Sequence, residues 1–162
     1  MVKPRADEFD LQGCKMSLKK KIDELMKNQS FKTLKSKDFQ DESKKKLDNL
    51  GIPKNSEFYE FYSRYFGRTL NHNSETGTEM VDCISPPKLM ERVISFAHEV
   101  WEVPANYILF TTGEGEGGYL YNILDNTVWD FDLGKRELLG TDKMHHWNSF
   151  YEFLVWYLTT DQ

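Results

Sequence analysis

Apolar residues recur at helical spacing in four stretches of the chain. Leu18, Ile22, Leu25 and Met26 share one face, and Ser17 ahead of them suits an N-cap, so a helix is expected over 17–28. Phe58, Phe61, Tyr62 and Tyr65 form an aromatic stripe after Ser56, which predicts a helix ending at about Phe66, with Gly67 beyond it. Leu89, Val93, Phe96, Ala97 and Val100 follow Pro86-Pro87, a pair suited to a first helical turn, and Pro104 breaks the pattern. Phe150, Phe153, Leu154 and Tyr157 predict a closing helix over about 148–158. Between the first two stretches the chain is polar and lysine-rich. A short helix over 43–50 is expected there, with Gly51 as its stop and Ile52-Pro53 extended.

The second half changes period. Strands are expected over 107–112, 119–124 and 127–133, with a glycine turn at 113–118 and an Asp125-Asn126 turn. A further short strand is expected near 80–84, a loop over 68–80, and weak structure over 1–16. Short turns between consecutive strands make them antiparallel neighbours. The fold expected is α+β, a central mostly antiparallel sheet flanked by helices. It divides into a lysine-rich helical extension over 1–40, packed on or leading into the domain, and a domain over 41–162.

Charge sharpens this picture. The chain has 162 residues and a net charge of −5, which disfavours a bulk grip on nucleic acid. Residues 15–46 carry 11 lysines against five acids, expected as a solvated helical face. Residues 99–137 carry eight acids against Lys135 and Arg136. The 11 Phe, 8 Tyr and 4 Trp supply a core and potential anchors. Cys14 and Cys83 read as reduced thiols. The N-terminal ten residues have no apolar run, and nowhere do 18 apolar residues run together, so a cytoplasmic protein without a membrane contact is expected.

Catalytic motifs are weak. The run 113–118 spells GxGxxG, but a dinucleotide loop must open a helix, and a strand pattern follows here, with Glu114 and Glu116 set to repel phosphate. His145-His146 are adjacent, so they point apart and do not make a zinc pair. No GxSxG is present. No enzyme activity, cofactor or metal is therefore expected. Glu114, Glu116, Asp125, Asp130 and Asp132 are expected to form an acidic, partner-facing surface, with Tyr119, Tyr121 and Trp129 as aromatic anchors. Strand alternation also allows Tyr119 and Tyr121 to face the core together.

The order of motifs resembles one family. Leu50-Gly51-Ile52-Pro53 leads into the helix beginning Phe58-Tyr59-Glu60-Phe61-Tyr62 and ending in Gly67. Much later come Ile108-Leu109-Phe110, the glycine turn, and the strands Tyr119–Ile123 and Val128–Phe131. The chain closes on Ser149-Phe150-Tyr151-Glu152-Phe153-Leu154. Over about 40–160 this resembles the SUKH superfamily, which includes bacterial immunity proteins and a yeast cell-wall regulator. Arg68 after Gly67 and the helix over about 87–100 depart from its usual pattern. The resemblance implies a non-catalytic immunity protein that occludes a cognate toxin, in many cases a basic nuclease. The alternative it leaves is an adaptor or regulator of the same fold. Oligomeric state stays open between monomer and weak dimer.

Overall fold

A computed structural model describes residues 18–160, the side chain of Glu114 excepted. The expectations for residues 1–17, including the Ser17 cap and the thiol of Cys14, lie outside the described residues. The protein is α+β, with a four-stranded antiparallel sheet flanked by helices, as the residue pattern predicts. Its helices are α1 (18–27), α2 (Lys37–Asn49), α3 (Glu57–Arg64), α4 (Leu89–Glu99) and α5 (Phe150–Leu158). The strands β1 (Tyr107–Leu109), β2 (Gly117–Asn122), β3 (Val128–Asp132) and β4 (His146–Trp147) lie side by side in chain order. No described helix is long and apolar enough to cross a membrane.

Serine side chains start three of these helices. The hydroxyls of Ser36, Ser56 and Ser149 accept from the backbone N–H of Phe39, Tyr59 and Glu152, which satisfies donors that a first turn leaves free. Ser36 therefore begins α2 seven residues before the expected position of 43. The pattern hid this because only Ser43 and Leu47 of α2 are buried. Gly51 follows α2 with a φ of 79°, a left-handed conformation that suits glycine. Helix α3 ends earlier than its stripe suggests. Tyr65 leaves the helix for an extended conformation and bridges to Leu34, with Lys35 N–H donating to Arg64 O at 2.8 Å and Phe66 N–H to Thr33 O at 2.8 Å.

The sheet is buried on both faces. Ile108, Phe110, Tyr119, Tyr121 and Val128 face α3 and α5, where Phe58, Phe61, Phe150 and Phe153 fill the main core. Tyr107, Leu109, Leu120, Trp129 and Phe131 face the other way, onto Ala97 of α4 and onto Trp101 and Val103 beyond it. Helices cover both sides, so consecutive residues 119–122 are all buried instead of alternating in and out. Gly117 sits where a Cβ would come within 2.8 Å of the Phe131 carbonyl oxygen on β3, so the strands need glycine at that point. The expected strand near 80–84 is reduced to one bridge, Met80 to Thr111. Strand β4, unmarked in the pattern, pairs Trp147 with Val128 and His146 with Trp129.

The expected boundary at residue 40 falls inside α2, and residues 18–36 belong to the same core. Ile22 and Met26 are buried in it, Lys19 pairs with Glu60 at 2.8 Å, and the Tyr65 hydroxyl donates to Asp23 at 2.5 Å. Lys35 corrects the reading of the lysine-rich stretch as a solvated face. Its side chain is fully buried, 3.1 Å from an equally buried Asp82, and its ammonium also donates to Tyr62 O at 2.7 Å. Asp82 in turn accepts from the backbone N–H groups of Gly67, Ile84 and Ser85. A buried ion pair survives only with such full satisfaction.

Candidate functional site

The run 113–118 forms a single tight turn over 114–116 and then enters β2, with no helix to receive a phosphate. Among the described residues no group of three or more His, Cys, Asp or Glu side chains is placed to hold a metal ion. The acidic residues separate into two places. Glu116 is exposed next to Gly117, which pairs with Asp132, and Asp130 pairs with Tyr119, so these three acids share one end of the β2–β3 hairpin. The backbone of Glu114 opens the same turn. Asp125 sits at the opposite end, where its carboxylate accepts from the N–H and hydroxyl of Thr127 and shapes the turn.

The three aromatic anchors are inside the protein. Tyr119, Tyr121 and Trp129 are each at most 6% exposed. The Tyr121 hydroxyl donates to Asn126 at 2.8 Å and its ring stacks on Phe58 at 4.6 Å. The Trp129 indole donates to Thr127 at 2.8 Å and stacks on His146 at 4.2 Å. Cover on both sheet faces is the physical reason: Tyr119 and Tyr121 meet the main core on one face and Trp129 meets the second cluster on the other.

Two residues outside the expected set take the anchor positions. Trp147 of β4 and Trp156 of α5 are half-buried and lie 4.9 Å apart. Both rest on the Tyr119 ring, at 5.8 and 6.1 Å. His145 meets the Trp147 ring edge-on at 4.5 Å. Asp130 lies opposite Tyr119 in the β2–β3 pairing. Burial raises the pKa of the Tyr119 hydroxyl, a hydrogen bond with Thr76 opposes this, and the charges of Asp130 and Glu75 add to the rise. Trp156 had a visible signal: it is a large aromatic residue off the Phe150, Phe153, Leu154, Tyr157 stripe, so it had to face something other than the core. Trp147 had none, because two residues are too few to show a strand period.

Asp130 and Asp132 border a shallow hollow of about 320 Å³ with Lys135, Lys143 and His145. Among the described residues neither acid has an ion-pair partner within 4.0 Å; Asp132 only accepts from Gly134 N–H at 2.9 Å. Partial desolvation raises the pKa of Asp130, the Asp132 charge adds to that, and His145 opposes it. An indole pair bordered by unpaired carboxylates has the composition of a protein-recognition patch, an aromatic centre with a charged rim.

No protein-family model matches the chain, and no curated protein matches its sequence.

Proposed function

We propose that this chain is a non-catalytic, protein-binding domain of SUKH type that acts in the cytoplasm as an immunity protein. Its target is a basic toxin, held and occluded by the Trp147–Trp156 patch and its acidic rim. The observation that carries this reading is a pair of half-buried indoles in contact, next to a hollow lined by His145, Asp130 and Asp132, with neither acid in an ion pair among the described residues. The indoles supply apolar area at low entropic cost, and the carboxylates steer a cationic partner and fix its register. The order of motifs from Leu50-Gly51-Ile52-Pro53 to the Ser149–Leu154 helix supports the family assignment.

The test is co-expression with the polypeptide of the adjacent open reading frame, read by co-purification and by survival of the host. A stoichiometric complex and protection are expected. Trp156→Ala should weaken the complex by about 2 kcal/mol, and Asp130→Lys with Asp132→Lys should abolish protection while leaving the circular dichroism unchanged. A chain that neither binds nor protects overturns the immunity reading. A complex indifferent to both sets of substitutions moves the interface elsewhere.

A further inference from the structure

A second surface, remote in the sequence from β3 and β4, has the opposite charge. A groove of about 360 Å³ runs between the C-terminal end of α1 and the ribbon formed by Leu34 and Tyr65. Its floor is apolar, made by Met26, Phe31, Leu34 and Tyr65, and Leu34 keeps 44% of its surface exposed. Its rim is cationic. Lys27 and Lys32 are exposed, and neither has a carboxylate partner among the described residues. Arg64 borders the rim with its charge already engaged: its Nε donates to the Tyr65 hydroxyl at 3.1 Å and lies 3.9 Å from the Asp23 carboxylate. Asp23, the one acid of the lining, is engaged by that same hydroxyl.

The backbone adds an independent observation. In the ribbon, Thr33 C=O and Lys35 N–H bond to the Phe66 and Arg64 side. The alternation of an antiparallel pair then turns the N–H and C=O of Leu34 the other way, and among the described residues they meet no partner. An open strand edge beside an apolar groove is the arrangement by which domains capture extended peptides: the backbone pairs along the edge and side chains enter the groove.

We infer that this groove docks an extended acidic segment of a partner protein, one that places apolar side chains among carboxylates. Each part of the occupant answers a part of the site. Carboxylates meet Lys27 and Lys32, apolar side chains cover Phe31 and Leu34, and backbone pairing satisfies Leu34. The site is independent of the acidic face, and the two carry opposite charge, so a partner complementary to one is repelled by the other.

The probe is a pool of short fluorescein-labelled peptides in which leucine and valine alternate with aspartate and glutamate. It is titrated with the intact chain and read by anisotropy, with a pool of the same pattern built on lysine as reference. The acidic pool should bind and the lysine pool should not. Lys27→Glu with Lys32→Glu should weaken binding about tenfold or more. Leu34→Pro removes the outward N–H at an edge that tolerates proline, and should weaken it likewise. If that variant misfolds, slowed hydrogen exchange at the Leu34 amide on adding peptide to the unaltered chain reads the same contact. Asp130→Lys with Asp132→Lys should leave this binding intact, which separates the result from the fate of the immunity reading. No binding of the acidic pool, equal binding of the lysine pool, or unchanged affinity in the Lys27 and Lys32 variant overturns the inference. Self-association lost in that variant would assign the groove to a second copy instead. Tighter binding of dodecanoate or of phosphatidylserine vesicles would assign it to a lipid anion, and either result overturns the peptide as occupant.

Discussion

Removing the ammonium of Lys35 would leave Asp82 charged, buried and facing only backbone N–H groups. Lys35→Met should therefore cost about 3–5 kcal/mol of folding stability. Adding Asp82→Asn to it should cost less than the sum of the two single changes, because the second substitution removes the stranded charge. Urea titration of the four proteins measures that coupling. Nothing in the sequence marks Lys35 among its ten neighbouring lysines, since the signal lies in the fold that brings Asp82 to it. The adjacent thiol gives a second prediction. Burial pushes Cys83 up to about 11 from an ordinary 9.0. The native state then keeps a proton that the unfolded state gives up, so stability present below 9.0 is lost as pH rises toward about 11. Cys83→Ala should flatten that part of the alkaline slope, read by urea titration at stepped pH. An unchanged slope would mean the thiol is not the group responsible.

At the scale of elements, α5 depends on its first turn. The Ser149 hydroxyl accepts from Glu152 N–H at 3.1 Å and donates to the Glu152 carboxylate at 3.3 Å, a side-chain cap that starts a helix whose apolar face fills the main core. Ser149→Ala should destabilise the protein by about 1 kcal/mol in thermal or urea unfolding, and Ser149→Asp should restore most of it. This element was legible from its apolar stripe, which placed its end at Leu158 and its start two residues early; the Ser149 cap fixes that start. Helix α2 was legible only at its end. Its start rests on Ser36 and on charged residues, with too few apolar positions to show a period. Tyr65 belonged to the α3 stripe by spacing, yet its pairing with Leu34 pulled it into an extended conformation. The strands of the hairpin were placed within a residue or two. Their orientation was not readable, because polarity separates two faces only when one of them is wet.

Over the whole molecule, charge is segregated where the sequence placed it, while the exposed aromatic residues differ from those expected. The acids Glu116, Asp130 and Asp132 gather at one end of the β2–β3 hairpin, while Tyr119, Tyr121 and Trp129 serve the interior and Trp147 and Trp156 reach the surface. Unpaired exposed carboxylates act at a distance until counter-ions screen them, over about 8 Å at physiological ionic strength. A cationic partner of this face should therefore associate more slowly as salt is added, with a smaller change in its dissociation rate, in stopped-flow mixing. A salt-independent association rate would leave the carboxylates without a steering role.

The ends of the sheet bear on how the protein behaves in a crowded solution. Beyond β1, Val81 N–H donates to Phe110 O at 3.0 Å and Thr112 N–H to Glu79 O at 2.8 Å, so a loop occupies the hydrogen-bonding groups on that side. On the other side β4 offers only two residues. A sheet closed in this way gives a stray chain little to pair with, which guards against the edge-to-edge stacking that begins fibrils. The open edge at Leu34 is too short to seed such a stack. The protein thus leaves one backbone edge open at Leu34 without exposing a template for aggregation.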